Sequence, residues 1–174
     1  LDNYAARLLL SEFPKTTPIL RDGKVVAYQY EAYDYAKLKL FFLSVLWRAG
    51  MSSHPTFQRV KLGPHADVIR HHLLSQDPGS ADFYSVILEV FDDEPEWAKI
   101  MDPFPIRLGA ERIHFYRLYA GNFIANIKGD KRPTPDVLRL MQLTPGTPLL
   151  ITQRSFAESQ EREIMQKIVN ANKK

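Results

Sequence analysis

The longest apolar stretch of the chain covers residues 33–54, YDYAKLKLFFLSVLWRAGMSSH. Apolar side chains take nearly every position from Leu38 to Ala49, so a helix formed here has almost no polar face. Such a helix must be surrounded by protein or by lipid. A membrane span needs about 20 largely uncharged residues, and charged residues interrupt this run. We therefore predict a central buried helix from about 34 to 50, capped by Asp34 and by a left-handed Gly50.

Shorter elements surround this helix in the first half of the chain. Signals from proline, glycine and capping residues predict a helix from Asp2 or Asn3 to about 13, a short helix at 55–60, and a helix over 65–75. Asp22-Gly23 stands between two β-prone runs and predicts a hairpin.

The second half is richer in β-branched and aromatic residues. Strands are predicted over 83–91, on both sides of residues 120–122, and from about 148, with helices near 136–143 and 157–170. The chain shows no regular βαβ alternation. This pattern predicts an α+β fold, with helices around the central helix in the first half and an antiparallel sheet of hairpins in the second. We expect a single domain over residues 1–174.

Composition narrows the chemistry only moderately. The formal charge of +3 and pI near 9.1 are mildly basic, which does not by itself establish nucleic-acid binding. The absence of cysteine excludes disulfides and thiolate chemistry within this sequence and agrees with a cytoplasmic location. The chain begins inside an apparent amphipathic helix without a leader sequence. We therefore expect it to be the C-terminal part of a longer protein.

Basic residues are interleaved with tyrosines along the chain, a pattern that can stack bases and hold phosphates. Tyrosines that merely bridge core and surface give the same pattern. The candidate side chains for nucleic-acid or anion binding are Lys37, Lys39, Arg48, His54, His65, Arg112 and Arg117.

Two of these candidates have an equally simple structural explanation. Arg48 ends the buried helix, where its planar guanidinium would hold a phosphate or carboxylate, or would tie the helix to a neighbouring loop. His65 follows Gly63-Pro64 at a helix start, which suits an anion site or an ordinary helix N-terminus.

The histidines give weak evidence for catalysis or metal binding. His65 and His72 are seven residues apart, whereas helical metal pairs are usually three or four apart. Ser52-Ser53-His54 lacks the geometry and glycine pattern of a nucleophile. We predict no metal site and no catalytic residue in this segment, with surface and capping roles for these side chains.

One long stretch resembles a known group of proteins. Residues 37–79, KLKLFFLSVLWRAGMSSHPTFQRVKLGPHADVIRHHLLSQDPG, together with Asp2-Asn3-Tyr4, 101–104 and 154–156, resemble bacterial proteins with an N-terminal zinc module of paired CxxC motifs and an HNH-like region. The resemblance implies that this chain is their C-terminal domain, with zinc or another divalent metal upstream. If the upstream module is an HNH-like nuclease, the whole protein would cut nucleic acid, with a role in phage defence. If it is only a structural zinc finger, the whole would be a binding or sensing protein.

Three functions remain open from the sequence. The first is a non-catalytic accessory domain that supports recognition or cleavage of DNA or RNA by the upstream module. The second is an interaction or homodimerisation module that uses Trp97, the acidic 92–96 loop or the C-terminal helix. The third is a self-contained hydrolase that uses His54, His65 or His72 with Asp67. None of the three involves a membrane.

Overall fold

The computed structural model of the chain describes residues 1–10, 16–91, 101–108, 112–120, 122–129 and 132–152. The described residues form three α-helices: α1 (Asp2–Leu10), α2 (Tyr35–Met51) and α3 (His65–Ser75). Two 3₁₀ helices are Pro55–Phe57 and Asp136–Met141. The described strands are β1 (Thr17–Arg21), β2 (Lys24–Tyr30), β3 (Val86–Phe91), β4 (Met101–Leu108), β5 (Ile113–Ala120), β6 (Phe123–Lys128) and β7 (Leu149–Thr152).

These strands form one sheet in the order β1-β2-β7-β3-β6-β5-β4. Neighbouring strands run antiparallel, except that β3 and β7 are parallel. The architecture confirms the α+β prediction. The N-terminal hairpin belongs to the same sheet as the later strands, which it meets through β7.

The central helix is confirmed and is the main packing element. Asp34 accepts a hydrogen bond from the backbone N–H of Lys37 at 3.0 Å, which satisfies a free donor of the first turn. Leu38, Phe42, Leu43 and Leu46 are each 0% exposed. In this core α2 packs with side chains from β3, β6 and α3, which include Val86, Leu88, Ala125, Ile127 and Ile69.

The sheet buries its second face as well. Val86 belongs to the core beside α2, whereas the next residue, Ile87, packs with Ile106 and Phe115 in a smaller cluster. Adjacent strand residues point to opposite faces. The sheet therefore has apolar side chains on both faces, with Leu138 of the second 3₁₀ helix packed against the smaller cluster.

Local signals predict several elements correctly. The helix expected at 65–75 is observed there as α3. Asp22 and Gly23 have φ values of 52° and 72°, the left-handed conformations that a two-residue hairpin turn requires. By contrast, Pro103 and Pro105 give no sequence signal for a strand, yet both lie in β4. This strand is at the edge of the sheet, where a missing backbone donor is tolerated.

The expected left-handed cap at Gly50 is wrong. The helix continues through Met51, and its C-cap residue is Ser52 in an extended conformation. Gly50 is instead explained by packing: a Cβ atom there would lie 2.5 Å from Leu62 Cδ1 and 2.6 Å from Leu62 Cγ. Leu62 is 5% exposed, so an added methyl group and the Leu62 side chain would compete for the same buried space.

We predict that Gly50→Ala lowers the free energy of unfolding by about 1–3 kcal/mol, because the added methyl group overpacks Leu62. Alanine would otherwise stabilise a helix interior by about 1 kcal/mol. Urea unfolding measures the change. In a Leu62→Ala background the same substitution should have little effect or should stabilise, since the clash is gone. A single Gly50→Ala variant more stable than the wild type would contradict this explanation.

Candidate functional site

Two predicted anion-binding side chains, Lys39 and Arg117, are buried. The Lys39 ammonium donates to the backbone oxygens of Ser80 at 2.6 Å and Phe83 at 2.8 Å. The Arg117 guanidinium, on a residue 1% exposed, donates to the amide oxygen of Asn126 at 2.7 Å. Both side chains are enclosed and bonded to internal groups, so neither is exposed to bind a nucleic acid or another anion.

Lys39 is a structural cation that joins α2 to the loop before β3. Burial lowers its pKa to about 8, opposed by Asp77 and assisted by the positive charge of Lys128. Its third hydrogen-bond acceptor is the hydroxyl of Tyr35 at 3.4 Å. Burial raises the pKa of Tyr35 to about 12, so this phenol remains neutral at physiological pH.

Lys37 and Arg48 are exposed and already have carboxylate partners. Lys37 Nζ lies 3.0 Å from Asp34. The two terminal nitrogens of Arg48 donate to the two carboxylate oxygens of Asp2 at 3.2 and 3.3 Å. Arg48 therefore ties α2 to the first residue of α1, whereas its structural interpretation expected a partner in a neighbouring loop. Exposed ion pairs contribute only about 0–1 kcal/mol, so a phosphate could still compete for either cation.

His54 and Arg112 are exposed at two further places. His54 caps the first 3₁₀ helix, where its Nδ1 accepts from the backbone N–H of Thr56 at 3.3 Å. Arg112 precedes β5 with φ of 50°, and its carbonyl accepts from Arg132 at 3.4 Å. Six of the seven candidates thus lie in the interior, at ion-paired surface positions, or at the exposed positions of His54 and Arg112.

A cavity of about 350 Å³ lies where α3 begins, and His65 is the candidate that lines it. The helical side contributes Leu46, Lys61, Leu62, Gly63, Pro64 and Ile69. The remaining described lining residues are Tyr84, His114, Tyr116 and Gly129. The cavity thus combines an apolar wall with a cluster of imidazole, phenol and ammonium groups.

The imidazole of His65 is held by Tyr84. Their Nδ1 and hydroxyl atoms are 2.7 Å apart, and the two rings meet edge to face with centroids 5.7 Å apart. Tyr84 is 1% exposed and has φ of 47°, an unusual conformation for a bulky residue. Burial raises the pKa of the Tyr84 hydroxyl, so it keeps its proton for hydrogen bonding.

The opposite wall is held in a similar way. The Tyr116 hydroxyl donates to the backbone oxygen of Lys61 at 2.8 Å, which joins β5 to the loop before α3. The rings of His114 and Tyr116 are 4.7 Å apart, and Gly129 lies against both. A Cβ at Gly129 would be 3.1 Å from Tyr116 and 3.2 Å from His114. The absence of a side chain there leaves room for the two rings.

The segment from Tyr35 to Gln76, which contains α2 and α3 and is called the helical layer below, has an excess of positive over negative charge. From Tyr35 to Gln76 there are six Lys and Arg residues and one acidic residue, Asp67. Three of these basic residues, Arg59, Lys61 and Arg70, are exposed and form no ion pair with the described residues. Overall composition conceals this asymmetry, since acidic residues elsewhere reduce the net charge to +3.

The residues named for the alternative functions are described only in part. His72 Nδ1 lies 2.9 Å from the backbone oxygen of Asp77, a local loop contact, while His65 is bonded to Tyr84. No group of three potential metal ligands occurs among the described residues. Trp97, the 92–96 loop and the predicted C-terminal helix lie outside the described residues.

No helix in the described ranges is long and apolar enough to cross a membrane.

Searches for related proteins give no match among family models, curated proteins or solved structures.

Lys39 leads to a prediction about pH. Its pKa is about 8 in the folded protein and about 10.5 when exposed, so the unfolded chain binds more protons between these values. The wild type should therefore gain about 2 kcal/mol of unfolding free energy relative to Lys39→Met from about pH 7.5 to pH 9.5. Urea unfolding of both proteins measures the difference. A difference that does not change with pH would show that the folded pKa is not lowered.

Proposed function

We propose that this domain is a non-catalytic accessory domain that supports nucleic-acid recognition by a larger protein. The observation that carries the proposal is the basic helical layer, in which Arg59, Lys61 and Arg70 are exposed around the start of α3. Phosphate contacts from such residues supply most non-specific nucleic-acid affinity. Of the residues predicted to bind nucleic acid, Lys39 and Arg117 are internal and do not belong to this exposed group.

The histidines support a non-catalytic role. His54 caps a 3₁₀ helix, His72 contacts a loop carbonyl, and His65 is bonded to a phenol. A general base needs a substrate proton within reach and a partner that orients it towards the reaction. The contacts of His54 and His72 stabilise local structure instead. Within the proposal, any metal-dependent cutting belongs to an HNH-like zinc module in the longer protein.

We predict that the 174-residue chain binds single-stranded oligonucleotides and that binding weakens as salt rises. Arg59→Gln/Arg70→Gln should lower the slope of log affinity against log salt by about 1.4, since each lost phosphate contact removes about 0.7 for a single strand. Fluorescence anisotropy across a salt series measures this slope.

The matched control is Arg21→Gln/Lys24→Gln, which removes the same charge from the exposed β1–β2 hairpin. It should retain the wild-type slope if the helical layer makes the contacts. An equal decrease of the salt slope in both double variants would indicate that binding responds to total charge alone. Binding by the wild type that does not change with salt would contradict the proposal.

Cleavage gives an independent test of the accessory role. The 174-residue chain should bind but not cut DNA or RNA in the presence of Mg²⁺, Mn²⁺ or Zn²⁺. A longer product of the same gene that carries the proposed module should cut in at least one of these metals. Metal-dependent cutting by the 174-residue chain, lost in His65→Gln with the fold intact, would overturn the accessory assignment.

A further inference from the structure

The cavity at the start of α3 has the size of a site for one small molecule. Ligand pockets in proteins usually enclose about 300–1,000 Å³, and this one encloses about 350 Å³. It therefore suits a ligand near one nucleotide in size. A longer polymer segment would have to lie on the surface outside it.

The polar lining favours an anion. Lys61 is exposed at the cavity and forms no ion pair with the described residues, while its backbone is anchored by Tyr116. His65 and His114 add two imidazoles, and none of the described lining residues is acidic. Ammonium and imidazole N–H groups form strong, charge-assisted hydrogen bonds to phosphate oxygens.

Tyr84 determines how His65 is presented. When the Tyr84 hydroxyl donates to Nδ1, the neutral imidazole carries its proton on Nε2, which leaves an N–H donor for a ligand oxygen. The buried Tyr84 ring fixes the position of the hydroxyl. Tyr84 is thus a positioning residue for His65.

The remaining lining suits a flat heterocycle. Leu46, Leu62 and Ile69 are buried and present apolar surface, and the rings of His114 and Tyr116 complete the opposite wall. Bases stack on aromatic side chains without requiring a particular sequence. The site thus offers an exposed cation at Lys61 for a phosphate, and apolar and aromatic surface for a base.

We propose that this cavity binds a nucleoside monophosphate, either as a free nucleotide or as the 5′-phosphorylated end of a strand. The strand form rests on the nucleic-acid function proposed above, whereas the free form does not. In both forms Lys61 and His65 contact the phosphate, and the base lies between the apolar wall and the two rings.

Binding of matched strands tests the strand form. A 3′-labelled single strand of about 12 nucleotides is titrated with and without a 5′-phosphate by fluorescence anisotropy. The 5′-phosphate should tighten binding about tenfold, and Lys61→Gln/His65→Gln should abolish this advantage. The control Lys24→Gln/His71→Gln removes similar groups at exposed positions outside the described lining of the cavity. It should keep the 5′-phosphate advantage.

Tyr84→Phe tests the positioning role. It removes the hydroxyl but keeps the buried ring, so the 5′-phosphate advantage should fall several-fold while binding of the 5′-hydroxyl strand is unchanged. A purely structural role would lower thermal stability and affect both strands equally.

Calorimetry with AMP and adenosine tests the free form. Tighter binding of AMP than adenosine, without a 5′-phosphate advantage in strands, would support the proposal with a free nucleotide as the ligand. Failure of both AMP binding and the 5′-phosphate advantage would overturn it. In that case salt-dependent strand binding through Arg59 and Arg70 would leave the accessory function intact. AMP binding without any strand binding would overturn the accessory function alone.

Discussion

Burial of α2 is the constraint on which the rest of the structure depends. A helix that is apolar on nearly every side gains stability only when all its faces are covered, here by the sheet, α3 and α1. Lys39 is the exception within this apolar surface. Because an unpaired buried charge is costly, its ammonium must find acceptors, and the Ser80 and Phe83 carbonyls supply them.

The need of the Lys39 ammonium for acceptors also affects the candidate site. The loop that satisfies Lys39 leads directly into Tyr84, whose left-handed backbone and buried ring place its hydroxyl against His65. The cavity wall on that side is thus determined by a charge buried on another helix. On the far side, Tyr116 makes a corresponding bond to the loop before α3. Two long-range hydrogen bonds therefore determine how the cavity is shaped.

Whether a feature can be predicted from the sequence depends on how far apart along the chain the interacting residues lie. Caps, turns and periodicity act within a few residues, so α2, α3 and the Asp-Gly hairpin are predictable. The parallel pairing of β3 with β7, the edge strand β4 and the burial of Lys39 depend on partners far along the chain. For the site, Gly63-Pro64-His65 is visible in the sequence as a possible anion site. No local sequence signal indicates that Tyr84, His114 and Tyr116 will lie beside this segment in the folded protein.

The position of β7 has a consequence for biosynthesis. Among the described strands, β7 alone connects the N-terminal hairpin to the remainder of the sheet, because it pairs with β2 on one side and β3 on the other. The ribosome makes β2 more than a hundred residues before β7. The hairpin thus emerges well before β7 exists, and the apolar central helix emerges before β3 and β6, the strands it packs against. Until β7 is made, the hairpin has no partner in the remainder of the described sheet, and transiently exposed strand edges of this kind are surfaces that chaperones protect.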